Sequence, residues 1–316
     1  MKIWLTRPLP PEVESRAKSL FDVDIRSSNE PLSAEEMRDA LERYDVVMPT
    51  LGDRFQKDVF DDVPHARCKL LANFGVGYNH IDVQAARAHD VAVTNTPGAV
   101  TDATADIALT LILMTARRAG EGERMLRAGD WGGWHPTQML GLHVTGLRLG
   151  IIGMGRIGQA IARRCHFGFG MSVRYVARSD KTLDFPATRS DSLADLAGDS
   201  DIVVAAVPGG AETHHLIDKT VFNAMPPHAI FVNIARGDVV DEAALITALD
   251  SGALAGAGLD VYEFEPTVPN ALLSMENVTL LPHLGTAALN VRTDMGMMVL
   301  DNIQAFVEGR NVPNLV

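Results

Sequence analysis

Gly153, Gly155 and Gly158 stand in the pattern G-x-G-x-x-G, spelled Gly153-Met154-Gly155-Arg156-Ile157-Gly158. The pattern closes an apolar run, Leu147 to Ile152, and opens a helix-like stretch from Gln159 to Phe167. Strand, glycine turn and helix in that order are the fingerprint of a dinucleotide site. Gly153 allows a tight turn, Gly155 lets the backbone approach a pyrophosphate, and Gly158 lets the helix pack on the strand. The N–H groups at the helix start then offer a partial positive charge to the phosphates. Further on, Arg236, Glu265 and His283 each follow a short apolar run. These three types suit carbonyl reduction. A carbonyl that accepts hydride develops negative charge on oxygen, so it needs a proton donor and a cation nearby. His283 can donate the proton. Glu265, hydrogen-bonded to the imidazole, favours its charged form and fixes its orientation. Arg236 can hold a carboxylate and the carbonyl oxygen in a planar fork. Taken singly, each has a plainer reading as a packed histidine, a surface arginine or a solvated turn carboxylate. Their joint placement after three successive strands favours the catalytic one.

Short apolar strands that alternate with amphipathic helices must position these residues, which argues for α/β architecture with parallel sheets. The pattern predicts strands at Lys2–Thr6, Val23–Arg26, Val46–Thr50, Lys69–Phe74 and Val91–Asn95, with helices such as Pro11–Leu20 and Ser33–Arg43 between them. A single long helix is expected from Thr101 to about Arg127. After the glycine turn, strands are predicted at Ser172–Ala177, Asp201–Val207, Ala229–Ile234, Gly256–Val261 and Val278–Leu281, and a last helix from Thr286 to Glu308. Ligands of such sheets bind outside the carboxyl ends of the strands. The mid-chain position of the glycines implies a dinucleotide-binding domain set behind another domain. The expected division is 1–98 with 287–316 for the substrate, and 99–286 for the dinucleotide.

The chain has 316 residues, 47% of them hydrophobic and 22% charged, as two soluble domains would have. A net charge of −12 argues against a nucleic-acid partner. Cys68 and Cys165 have no metal-ligand spacing and read as two buried thiols in a reducing compartment, with no metal expected. No signal-like or membrane-spanning apolar stretch is visible, so the expected location is cytoplasmic.

The chain resembles the D-2-hydroxyacid dehydrogenase family. The matching segments are GVGYNHID (75–82), NTPGAVTDATAD (95–106), GIIGMGRIGQ (150–159), VNIARGDVVDE (232–242), AGLDVYEFEP (257–266) and LLPHLG (280–285). They span most of the chain, and the likeness is greatest to the glyoxylate reductase/hydroxypyruvate reductase (glycerate dehydrogenase) branch. The resemblance implies a flavodoxin-like substrate domain and a Rossmann dinucleotide domain, both doubly wound, with the active site in the cleft between them. It implies that Arg236, Glu265 and His283 are catalytic, and that the main chain of Val76 and Gly77 binds the substrate carboxylate. On residues alone, Gly75-Val76-Gly77 reads better as an ordinary turn after a strand. Asp260 would contact the nicotinamide carboxamide and Thr104 would lie near the cofactor. The rest of the implied cofactor site comprises Val207, Pro208, Thr213, Ile234, Ala235 and Gly285, beside the glycine turn with Arg156 and Ile157. A homodimer built on the cofactor domains is also implied.

An NAD site usually places Asp or Glu ~20 residues past the glycines to bind the ribose 2′-hydroxyl. Here Ala177 stands 19 residues after Gly158, and Arg178, Ser179, Asp180 and Lys181 follow. Arg178 and Ser179 suit a 2′-phosphate, so NADP(H) is expected. The alternative is a solvated Arg178 with Asp180 on the ribose, which keeps NAD possible. The substrate crevice should be lined by Leu51, Val76, Gly77 and the segment Trp131-Gly132-Gly133-Trp134. In the branch resembled, a tryptophan from the partner closes the pocket, and Trp134 is the better candidate here. Its alternative is a core or interface anchor. A bulky indole would favour short 2-keto acids such as glyoxylate or hydroxypyruvate.

Three rival readings remain at this level. A phosphoglycerate dehydrogenase would want a cationic phosphate pocket, and residues 75–80 add no Lys or Arg; longer versions also carry a regulatory domain, for which no room is expected after Val316. A formate dehydrogenase would pair its histidine with an amide, where Glu265 is a carboxylate. A non-enzymatic nucleotide sensor like the C-terminal-binding-protein corepressors can keep the Arg–Glu–His set, so turnover alone separates it.

Overall fold

The computed structural model describes residues 1–316 and divides the chain into two compact units, 1–100 with 286–316, and 101–285. Both are α/β, and every strand pairing in both sheets is parallel.

The first unit holds β1 (Lys2–Leu5), β2 (Asp22–Ile25), β3 (Val46–Met48), β4 (Leu70–Ala72) and β5 (Ala92–Thr94). Their order in the sheet is β2-β1-β3-β4-β5. The central strands are buried on both faces and so are apolar throughout. Ile3, Leu5, Val46, Met48, Leu70 and Ala72 pack with Val13 and Ala17 of helix Pro11–Leu20 and with Val299, Leu300 and Ile303 of helix Leu289–Val307. Val47, Leu71 and Val93 point to the other face, against Met37 and Leu41 of helix Ala34–Arg43 and against Phe55 and Phe60. That helix starts on a capping box, Ser33 with Glu36, which satisfies two of its free amides.

The loop after β3 is fastened by a buried carboxylate. Asp53 Oδ2 accepts from Thr6 Oγ1 (2.7 Å) and Thr50 N (2.9 Å), while Oδ1 accepts from Leu32 N (3.1 Å) and pairs with Arg7 Nη2 at 2.9 Å. Asp53 is fully buried and the Arg7 side chain nearly so. Removing one member leaves the other charge buried and unpaired. Asp53→Ala is therefore expected to lower the unfolding free energy by about 3–5 kcal/mol in denaturant titration. A loss below about 1 kcal/mol would show that the network contributes only surface-like pairing.

The second unit holds β6 (Arg148–Ile152), β7 (Ser172–Val176), β8 (Ala187–Arg189), β9 (Ile202–Ala205), β10 (Ile230–Asn233), β11 (Gly256–Leu259) and β12 (Val278–Leu280). The order is β12-β11-β10-β9-β6-β7-β8. The chain builds outward from β6 to β8, then returns to β9 and builds the other way. The switch point therefore lies between β6 and β9, where a doubly wound sheet opens its ligand crevice. Asp201 bolts these two strands together, accepting from the amide and guanidinium of Arg148 and from His228. The Arg148 hydrogen bonds hold its carboxyl well below the usual range.

Two expectations need correction. The single helix predicted from Thr101 to Arg127 is two helices, Thr101–Ala116 and Ala119–Ala128. The Ala116 carbonyl accepts from Leu142 N at 2.7 Å instead of continuing the helical ladder, and Arg118 takes a left-handed conformation with φ 53°. Gly141 allows this approach, since a Cβ there would lie 2.3 Å from the Ala116 oxygen. The edge strand β8 is absent from the sequence reading, because its three residues Ala-Thr-Arg carry no apolar alternation. No helix is long and apolar enough to cross a membrane. Cys68 and Cys165 are free and buried, and burial pushes both thiols up to about 12.

Candidate active site

The glycine turn follows β6 directly. Gly153 has φ 100°, and a Cβ there would lie 2.6 Å from the Ala206 oxygen at the end of β9. A Cβ on Gly158 would lie 2.1 Å from the Gly153 oxygen, so helix and turn touch through backbone alone. Gly155, by contrast, caps helix Arg156–Phe169 with no atom within 4 Å of its Cβ position. That open space in front of the helix start, with the first-turn amides unpaired, fits a pyrophosphate. Val207, Pro208 and Thr213 lie in the loop after β9, where the Thr213 hydroxyl donates to the Pro208 carbonyl at 2.7 Å.

Past β7 the chain runs Ala177, Arg178, Ser179, Asp180, Lys181. Arg178 is 89% exposed and reaches Glu212 at 3.5 Å, a loose surface pair. Lys181 Nζ donates to Ser179 Oγ at 3.0 Å. Asp180 is held by Arg189, whose guanidinium also donates to the Ala177 carbonyl at 2.9 Å. Arg189 comes from β8, so the strand missing from the sequence reading delivers a further cation to this turn.

The ends of β10, β11 and β12 bring the other candidates together. His283 Nδ1 donates to Glu265 Oε2 at 2.8 Å, and Glu265 Oε1 accepts from Tyr262 N at 3.0 Å. His283 Nε2 has no partner within the protein, so it is the ring nitrogen free to act on a ligand. Burial alone would raise the Glu265 carboxyl. The His283 hydrogen bond, the His283 charge, the Tyr262 amide and the Arg236 charge outweigh it, and the carboxyl sits below its ordinary value. His283 itself has φ 54°, a left-handed conformation that costs a side-chain-bearing residue about 1–3 kcal/mol. Asp260 holds it there: its backbone oxygen accepts from His283 N at 2.9 Å, and its carboxylate accepts from Leu284 N (2.6 Å) and Gly285 N (2.8 Å). The Thr104 hydroxyl donates to the Gly285 carbonyl at 3.2 Å and fixes the far end of the same turn.

Arg236 follows Ile234 and Ala235, both nearly buried, and is anchored by Nη1 on the Ala235 carbonyl at 2.7 Å. Its Nε is buried and has no partner in the protein. Burial pulls the guanidinium below its ordinary value, against the carboxylates of Glu265 and Asp238, which favour the charge. A half-buried guanidinium whose buried Nε has no acceptor in the protein is what an anionic ligand would complete. Two neighbours escaped the sequence reading. Tyr262 donates its hydroxyl to the Leu281 carbonyl (2.9 Å), tying the Glu265 loop to the strand that delivers His283. His215 pairs with Glu263 at 2.8 Å, a second His–Glu contact on the same loop.

In the first unit, Val76 and Gly77 form a half-buried turn after β4, and neither amide makes a hydrogen bond within the chain. Leu51, past β3, is exposed. Trp131 is exposed and Trp134 is 79% exposed, so neither indole is a core residue of its own chain.

A family model described as "D-isomer specific 2-hydroxyacid dehydrogenase, NAD binding domain" matches residues 109–285. A glyoxylate reductase of Thermococcus kodakarensis is 42% identical over 321 aligned residues, covering 100% of this chain and 96% of that protein. A glycerate dehydrogenase of Hyphomicrobium methylovorum is 37% identical, with 98% and 97% covered. Among solved structures, the NADPH-dependent glyoxylate/hydroxypyruvate reductase of Sinorhizobium meliloti in complex with NADP and malonate superposes with a TM-score of 0.87 at 36% identity, covering 100% of this chain and 96% of that one. Full-length likeness at this level, together with the two parallel sheets and the glycine turn, places the chain in the D-isomer specific 2-hydroxyacid dehydrogenase family.

Proposed function

We propose that the chain reduces small 2-keto acids, glyoxylate and hydroxypyruvate, to the 2-hydroxy acids with NADPH. The observation that carries this reading is the His283–Glu265 pair at 2.8 Å, with Nε2 unpartnered, in the same unit as the Arg236 guanidinium, whose buried Nε lacks a partner. The turn Gly153–Gly158 with Arg156 and Ile157 holds the pyrophosphate, and Val207, Pro208, Thr213, Ile234, Ala235, Asp260 and Thr104 line the rest of the cofactor site. When bound, the reduced nicotinamide supplies the hydride. Arg236 binds the substrate carboxylate and carbonyl oxygen, and the amides of Val76 and Gly77 take the carboxylate. His283 Nε2 gives its proton to the oxygen as negative charge develops there, and Glu265 holds the imidazole by Nδ1 and aims it. In the reverse direction the same nitrogen takes the hydroxyl proton.

The preference for NADPH rests on the turn after β7. Asp180 is occupied by Arg189, while Arg178 meets only a distant Glu212 and is free to turn to a 2′-phosphate. Relatives named as glyoxylate and hydroxypyruvate reductases support the substrate class. Helix Ala119–Ala128, which has no buried residue, and the exposed Leu126, Trp131, Trp134 and Leu140 support a homodimer. A second copy covers this apolar surface and Trp134 closes the partner's pocket. The two inert, buried thiols suit a reducing cytoplasm.

Initial rates with NADPH and NADH on glyoxylate and hydroxypyruvate test cofactor and substrate together. The expected result is a higher kcat/KM with NADPH, and a fall of about tenfold or more in that preference in Arg178→Asp, since a charge-assisted bond is replaced by repulsion. A wild-type preference for NADH overturns the NADPH assignment. No turnover on any keto acid overturns the reductase and leaves a nucleotide-binding sensor.

A further inference from the structure

The turn 75–77 is held by its carbonyls. Asn73 Nδ2 donates to the Gly75 oxygen and to the Gly77 oxygen, each at 3.0 Å, and Asn95 Nδ2 donates to the Val76 oxygen at 2.9 Å. All three consecutive carbonyls are therefore claimed by two asparagine amides. In a trans peptide the N–H of the next residue points opposite to the carbonyl, and no peptide bond in this turn is cis. Fixing the oxygens of Gly75, Val76 and Gly77 thus fixes the direction of the amides of Val76, Gly77 and Tyr78, and none of the three has an acceptor in the chain.

The asparagines are themselves locked. Asn73 is fully buried, and His80 Nε2 donates to its Oδ1 at 3.0 Å, which sets which end of the side chain is the donor. Thr96 N adds a second bond to the Gly75 oxygen at 3.1 Å. Asn95 is gripped at its backbone: its amide donates to the Asn314 oxygen (3.1 Å) and its oxygen accepts from Asn302 Nδ2 (3.3 Å). Asn302, fully buried on helix Leu289–Val307, accepts in turn from Asn314 Nδ2 at 2.9 Å. A relay of polar side chains therefore runs from the last residues of the chain to the turn.

We infer that Asn73, with His80 behind it, and Asn95 are positioning residues that aim the amides of Val76, Gly77 and Tyr78 at the carboxylate of the keto acid. The inference rests on the carboxylate-binding role of the turn proposed above and adds Tyr78 N–H as a third donor. An amide that is already aimed loses no conformational freedom when the anion arrives, so its hydrogen bond is felt fully in binding.

The test compares wild type, Asn73→Ala and Asn95→Ala for glyoxylate reduction, for inhibition by oxalate and for NADPH affinity by fluorescence. Freed carbonyls let the peptides rotate, so KM for glyoxylate and Ki for oxalate are each expected to rise about tenfold, with kcat changed less than about threefold. NADPH affinity should stay put. A merely structural role would instead lower the active fraction, reducing kcat and the melting temperature at constant KM. His80→Gln, which keeps an amide donor where Nε2 stands, should retain KM nearer to wild type than His80→Leu. If Asn73→Ala does not fold, Asn95→Ala and the His80 pair carry the same comparison. Unmoved KM and Ki in folded variants of an active enzyme overturn the inference alone. A wild-type protein that turns over no keto acid overturns the function and the inference with it.

Discussion

His283→Ala is expected to lower kcat for keto-acid reduction by about three orders of magnitude while the affinity for NADPH stays within about threefold of wild type. A positioned general acid contributes roughly 10²–10⁴ in rate, and three decades correspond to about 4 kcal/mol of barrier. The effect falls on turnover because Nε2 has no partner in the protein and its proton matters only as charge develops on the substrate oxygen. Glu265→Gln removes the carboxylate but keeps a hydrogen-bond acceptor near Nδ1. Burial alone would raise the Glu265 carboxyl, but the hydrogen bond and charge of His283, the Tyr262 amide and the Arg236 charge hold it below its ordinary value. A carboxyl depressed in this way keeps its charge through the ordinary carboxylate range and loses it only as the pH falls through the lowered value. Wild-type kcat is therefore expected to have an acid limb below that range, and Glu265→Gln, with no carboxylate to protonate, should lack it while losing less kcat than His283→Ala. Activity that survives His283→Ala would reassign the proton donor, and an unchanged acid limb in Glu265→Gln would assign that limb to another group.

The parts of this site that a sequence discloses are those where one residue type answers one local demand. Gly153 and Gly158 are legible because only a missing Cβ tolerates contacts of 2.6 and 2.1 Å with neighbouring carbonyls. Arg236, Glu265 and His283 are legible because strands β10 to β12 are short apolar runs whose ends are easy to see. What stays hidden depends on partners far along the chain. The break at Ala116 needs the amide of Leu142 and the bare backbone of Gly141. Arg189 belongs to a three-residue edge strand, and its place beside Asp180 follows from strand pairing alone. Asn73 and Asn95 stay hidden for a smaller reason. The apolar runs Lys69–Phe74 and Val91–Asn95 read as strands throughout, whereas β4 ends at Ala72 and β5 at Thr94. Each asparagine is the first residue past a carboxyl end, where an apolar run that continues beyond the strand hides it.

Arg236→Lys is expected to lower kcat/KM for glyoxylate by about 10²–10³, close to the loss on removing one donor aimed at a developing oxyanion. Charge is preserved in this substitution, so the size of the loss measures geometry. Arg236 is seated in a tight slot: a Cβ on Gly209 would lie 2.7 Å from its Cγ, and Nη1 is anchored on the Ala235 carbonyl. What remains for a ligand is the edge that includes Nε, buried and unpartnered in the protein. Lysine has no atom equivalent to Nε and presents one ammonium in place of a planar fork, so it cannot hold the carboxylate and the carbonyl oxygen together. Burial also disfavours its charge, and an ammonium yields its proton more readily than a guanidinium. Both KM and kcat should therefore suffer, since the same fork binds the carboxylate in the ground state and stabilises the oxygen in the transition state. In Arg236→Ala, guanidinium ion added in solution is expected to restore part of the activity in a saturable way, while ammonium of similar concentration does not. Equal rescue by both ions would mean that charge alone suffices at this position, and the planar fork would lose its part in the reaction.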